Sequence, residues 1–199
     1  MRRRLEKYPG DFEATFNLGG ALEATGKHDE SIPVLQKAVQ LRPKAAVARN
    51  TLAAALIDAG RLAEAIAQLR LAVSAEPGHA DSHLNLARSL VGAGDAQGAI
   101  AEYLAYLRLQ PDDADAHIQL AGLYADGKDF VAAAAQFGEA SKIRPADADL
   151  QTNLGSALAL SGDLPAAVHA FEKALALQPD HALARSNLEQ VRARLSIKN

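Results

Sequence analysis

Cysteine and tryptophan are absent from this chain, and methionine occurs once. Without cysteine there is no disulfide, no thiolate nucleophile and no cysteine-held zinc or iron–sulfur site, whatever the compartment. An excess of positive charge is also missing. The net charge of -3 lacks the basic footprint that phosphate neutralisation requires, so nucleic acid is not an expected partner. No apolar run approaches the roughly 18 to 20 residues that span a bilayer, because Gly, Pro or charge interrupts each one. No membrane span is expected, and the chain reads as soluble, with the cytoplasm favoured and the compartment otherwise unknown. The opening MRRRLEKYPGDF has basic residues but no apolar segment behind them, so it is no secretory signal as it stands. What remains is 49% hydrophobic over 199 residues, enough to bury a core and too much for a disordered chain.

Self-similarity organises the rest. Pro9, Pro43, Pro77, Pro111, Pro145 and Pro179 recur every 34 residues, and only Pro33 and Pro165 fall outside the series. Leu18, Leu52, Leu86, Leu120, Leu154 and Leu188 keep the same interval, and the first five are followed by Gly19, Ala53, Ala87, Ala121 and Gly155. Two more columns run Ser31, Ala65, Ala99, Ala133, Ala167 and Leu35, Leu69, Tyr103, Phe137, Phe171. Within one period the apolar spacing is helical twice over. Leu150, Leu154, Ala157 and Leu158 make one face, and Ala167, Val168, Phe171, Ala174, Leu175 and Leu177 another, with SGDLP between them.

The breakers have assigned tasks. Gly26, Gly60, Gly94 and Gly162 can take the positive φ that ends a first helix. The fourth period has Gly127 one residue early and Lys128 in the column, so its turn is expected to differ. Each periodic proline disfavours helix in the residue before it and stops the second helix. Asp11, Asp113 and Asp147 are placed to cap the following first helix, with Glu13, Asp81, Asp115 and Asp149 in its first turn.

This pattern resembles the tetratricopeptide repeat. The resemblance implies an all-α fold, a right-handed superhelical solenoid of antiparallel helix pairs. Five 34-residue units fit, at 12–45, 46–79, 80–113, 114–147 and 148–181, followed by a C-terminal capping helix at 182–199. Residues 1–11 read as the end of a truncated N-terminal repeat, open either to a preceding segment or to another copy. Departures are few. The first-helix column that often holds a large aromatic has Thr15, Arg49, His83, His117 and Gln151, which predicts weaker or more polar packing there. Tyr106 stands where Ala38, Ala72, Ala140 and Ala174 are small, Pro33 is placed to distort a second helix, and Pro165 sits at a helix start.

The resemblance also places a binding surface, the concave groove lined by first helices. One groove column reads Asn17, Thr51, Asn85, Gln119, Asn153 and Asn187. A carboxamide both donates and accepts, so a series of them can hold the backbone of an extended peptide without reading its side chains. The column is similar to the asparagine ladder in the tetratricopeptide domain of O-GlcNAc transferases, carried by Asn17, Asn85, Asn153 and Asn187, with Thr51 and Gln119 breaking it. The competing use of these amides is a hydrogen bond between adjacent first helices. Asn50 and Arg88 complete the candidate groove, with Glu23, Asp58 and Asp126 as acids at its edge and Phe16, Ile57, Leu84 and Ile118 as apolar contacts. The Lys and Arg columns of a chaperone-type carboxylate clamp are missing.

No catalytic constellation, phosphate loop or nucleophile motif is present, so neither an enzyme activity nor a cofactor is expected. His79 and His83 lie four apart, but a third positioned ligand is lacking, and no metal site is expected. The function read from the sequence is a protein–protein interaction scaffold that takes an extended peptide or a partner helix in its groove. The alternatives are the substrate-recruiting arm of a larger enzyme, for example a glycosyltransferase, and a scaffold that self-associates through its N-terminal end.

Overall fold

Each period in the sequence closes one helical hairpin. The computed structural model describes residue 8 and residues 10–197, and every regular element among them is an α-helix. The first pair is α1 (Phe12–Ala24) and α2 (His28–Leu41), the second α3 (Ala46–Asp58) and α4 (Leu62–Ala75), the third α5 (Ala80–Gly92) and α6 (Ala96–Leu109). After these come α7 (Ala114–Asp126) with α8 (Phe130–Ile143), α9 (Ala148–Ser161) with α10 (Leu164–Leu177), and α11 (Ala182–Ile197). Residues 1–7 and the truncated-repeat assignment built on them lie outside the described residues, as do Pro9 and residues 198–199.

The chain divides into two units, one ending at Leu109 and one beginning at Gln110. Inside the first, α1 packs on α2, α3 on α4 and α5 on α6, while α2 meets α3 and α4 meets α5. The second unit repeats the scheme with α7 on α8, α8 on α9, α9 on α10 and α10 on α11. The core of each hairpin is a large residue of the second helix set into a small residue of the first. Leu35, Leu69, Tyr103 and Phe171 are almost fully buried. A methyl group added to Gly19 would lie 2.6 Å from Leu35, and one on Gly155 2.7 Å from Phe171. Tyr106 is buried as well, so its neighbours accommodate the ring.

Capping follows the sequence closely. Asp11, Asp113 and Asp147 accept from the backbone N–H three residues on, at 3.1, 3.1 and 2.9 Å. At two of the three places where the series lacks Asp, imidazole substitutes: Nδ1 of His79 accepts from Ser82 and that of His181 from Ala184, both at 3.2 Å, while Ala45 provides no side-chain cap. The turn after α7 corrects an expectation. Lys128 takes φ 62°, alongside 72°, 73° and 77° at Gly26, Gly60 and Gly94, so this turn matches the glycine turns although a side chain must occupy the left-handed region. The turn that differs is the one after α9, where Gly162 reaches φ 99° and the helix runs to Ser161. Pro33 lies inside a continuous α2, where it removes one donor without ending the helix.

The column expected to pack in a weaker or more polar way is a polar fastening. Arg49, His83, His117 and Arg185 each hydrogen-bond the carbonyl of the periodic proline six residues upstream, at 2.9, 3.0, 3.0 and 2.5 Å. Three of them also reach the second helix: Arg49 donates to Gln68 at 2.7 Å, and Nδ1 of His83 and of His117 meets Glu102 at 2.6 Å and Gln136 at 2.8 Å. Partial burial pulls the Arg49 guanidinium below its ordinary range. The polar column therefore ties the loop before a hairpin to that hairpin's second helix. A proline carbonyl near a helix start is thereby satisfied.

Candidate functional site

The amide column occupies one position on successive first helices, immediately before the leucine column. In the first unit it comprises Asn17 on α1, Thr51 on α3 and Asn85 on α5, with Asn50 one residue before it on α3 and Arg88 three residues after it on α5. In the second unit it places Gln119 on α7, Asn153 on α9 and Asn187 on α11. Helical geometry turns this position away from the hairpin's own core, because its neighbour one residue on faces inward. The side chains nevertheless fall into two groups.

Asn17, Gln119 and Asn153 are exposed, and their amides pair with no other group among the described residues. Each keeps its full capacity to donate and accept. The others are half-buried and committed. Asn85 Nδ2 donates to Asn50 Oδ1 at 3.1 Å, bridging α3 and α5, and Asn187 Nδ2 donates to Ser156 Oγ at 3.3 Å, bridging α9 and α11. Thr51 Oγ1 donates to the Val47 carbonyl one turn back at 2.9 Å. The competing use of the column, pairing between first helices, is thus realised at two rungs. Each amide of these pairs keeps hydrogen-bonding capacity beyond that one bond.

The charge assignment changes in one respect. Asp58, Asp126 and Arg88 are exposed, but Glu23 is bound into the hairpin turn. Its two oxygens are taken by His28 Nδ1 and Ser31 Oγ, both at 2.9 Å. Glu23 is therefore no edge acid of a groove. Of the apolar contacts, Phe16 stacks on Phe12 with ring centroids 5.8 Å apart, and Ile57 is exposed.

Two features escaped sequence reasoning. A cleft of about 230 Å³ opens among α9, α10 and α11, floored by Ala159, Phe171 and Val191 and rimmed by Ser156, Asn187, Gln190 and Arg194. It places a polar rim around an apolar floor at the last rung of the amide column. The exposed Leu160 beside it was the available signal. The second feature is the polar turn around His28. The signal for it was the departure of Glu23, His28 and Ser31 from columns that are apolar or small elsewhere.

The histidines have structural tasks: His79 caps α5 and both ring nitrogens of His83 are engaged. Among the described residues, no helix is long and apolar enough to cross a membrane.

Comparison with known proteins agrees with this architecture. The crystal structure of YrrB, a protein with tetratricopeptide repeats and an unusual peptide-binding site, matches with a TM-score of 0.78 at 23% identity, over 93% of this chain and 95% of that one. The crystal structure of MamA gives 0.74 at 22% identity, over 86% and 93%. MamA from Desulfovibrio magneticus RS-1, from residue 41 to its end, gives 0.69 at 16% identity, over 86% and 97%. At these identities the likeness is one of fold. No curated protein sequence matches. Tetratricopeptide repeat profiles match residues 22–83, 56–121 and 148–181. With more than half of its length matched, the chain belongs to the tetratricopeptide repeat family, whose fold supports protein–protein interaction.

Proposed function

We propose that the chain is an interaction scaffold that holds an extended peptide, or a helix of a partner protein, against its first helices. The observation that carries this reading is the contrast within one column. Nearly every buried polar side chain of the hairpins is engaged, whereas Asn17, Gln119 and Asn153 present free amides at the same position in three helices. An exposed Asn is a mediocre helix former with no compensating bond, so its recurrence fits contact with a ligand's backbone. Asn85 and Asn187 contribute their remaining capacity, Asn50 holds Asn85 in place, Thr51 is turned back onto its own helix, and Arg88 adds a cation to the first unit. A partner held this way is recognised mainly through its backbone, with affinity from the amides and from half-buried apolar side chains such as Leu84 and Ile118. Peptide binding in the fold neighbour YrrB is compatible with the same use here.

The test compares proteins captured by the chain with those captured by an Asn17→Ala, Asn85→Ala, Asn153→Ala variant of equal helicity and melting temperature. Partners of the unaltered chain are expected to be lost from the variant. Retention of the same partners by both would refute the amide column as the binding surface.

A further inference from the structure

The repeat supplies its own control, because each column shows what the hairpin ordinarily requires at a position. At the turn of the second pair the residues are Ile57, Leu62 and Ala65, and at the fifth they are Ala159, Leu164 and Ala167. The first pair has Glu23, His28 and Ser31 in those places. Three apolar or small positions have become polar together, and the three side chains meet. His28 Nδ1 lies 2.9 Å from Glu23 Oε1, and Ser31 Oγ, itself fully buried, donates to Glu23 Oε2 at 2.9 Å. A fourth group arrives from the next hairpin, with Asp58 Oδ2 at the end of α3 lying 3.8 Å from His28 Nδ1.

We propose that Glu23, His28 and Asp58 form a binding site for a divalent transition-metal ion of the zinc or cobalt type. One atom from each residue lies within 4.8 Å of the other two. Ligands around a tetrahedral zinc stand roughly 3.3 to 3.6 Å apart, so the separations of 2.9 and 3.8 Å from Nδ1 straddle that spacing. One imidazole and two carboxylates suit zinc or cobalt better than calcium, which prefers a larger shell of oxygens. Ser31 orients Glu23 from behind, as a supporting hydrogen bond does for a ligating carboxylate. Solvent reaches the cluster through a cleft of about 480 Å³ walled by Gly26, Lys27, His28, Asp29, Glu30, Asp58 and Ala59, which leaves room for water as a further ligand. The nearby ammonium of Lys27 is drawn to Glu30 at 3.3 Å, and Asp29 adds negative charge to the same wall.

The ion would tie the α1–α2 turn to the end of α3 and fix the second hairpin on the first. This inference stands apart from the amide column. A metal site here was not to be expected from the order of residues, because the ligands come from two hairpins and a turn.

The experiment titrates the full chain with cobalt(II) and follows the visible d–d absorption. A single saturable ion per chain is expected. A Glu23→Ile, His28→Leu, Ser31→Ala variant carries the second pair's own turn residues, so it should fold, and circular dichroism checks that it does. The other histidines remain in it. The absorption should vanish in this variant, and Asp58→Asn, at an exposed position, should weaken binding by about tenfold or more. Absence of a saturable absorption from the unaltered chain would overturn the proposal, as would an unchanged titration in either variant.

Discussion

The turn of the first hairpin and that of the fifth occupy the same place in the repeat and are built from opposite chemistry. In the fifth, Ala159, Leu164 and Ala167 close an apolar contact around Phe171, all but excluded from solvent. In the first, Leu35 fills the corresponding hole, but the turn beside it is a hydrogen-bonded set of Glu23, His28 and Ser31. Both hairpins keep a glycine under the large residue of the second helix. The repeat thus fixes shape strictly and chemistry loosely. A polar set is tolerated where each member satisfies another, since an unpaired buried polar group would cost about 1–3 kcal/mol.

The sharpest way to break the comparison is to empty the two holes. Phe171→Ala is expected to cost about 3–5 kcal/mol and Leu35→Ala about 2–5 kcal/mol in chemical denaturation followed by circular dichroism. The next effect separates the two chemistries. His28→Leu alone leaves Oε1 of the largely buried Glu23 carboxylate without its partner and should cost about 1–3 kcal/mol, while the triple Glu23→Ile, His28→Leu, Ser31→Ala variant, melted without metal, should be closer to neutral. Equal losses in both would mean that the polar set acts as separate side chains.

Smaller effects sit at the helix starts. Asp163 caps α10 by accepting from Ala166 at 3.1 Å, whereas Lys27 offers α2 no side-chain cap. Asp163→Ala should lose about 1 kcal/mol of stability, and Lys27→Asp should recover part of that amount in the first hairpin. The smallest change extends the comparison to the turn after α7. Lys128→Gly removes left-handed strain at φ 62° but frees the unfolded chain, so a gain of about 0.5–1 kcal/mol in thermal melts is expected.

Much of the fold was legible because its determinants are local. A capping Asp acts on an amide three residues away, and the leucine and small-residue columns follow from helical spacing within one hairpin. The turn at Lys128 departs from residue preference for an instructive reason. Residue preference says glycine, but the shape is set by how α7 and α8 pack, and the side chain accepts the strain. The column at Arg49, His83 and His117 is legible as polar, but composition does not reveal that the proline carbonyls lie within its reach.

The candidate site was legible as a column and illegible as a set of hydrogen bonds. Sequence placed Asn17, Asn85, Asn153 and Asn187 at one position but could not say which were free. Asn85 meets Asn50 across 35 residues, and Asn187 meets Ser156 across 31, so their pairing depends on how closely one hairpin stacks on the next. The 34-residue period, the helices, the caps and the core columns belong to the sequence alone, since each follows from spacing along a single helix or turn. Which amides remain free, and whether Glu23, His28 and Asp58 meet, were decided only by tertiary structure, because those distances run between helices that chain order does not fix.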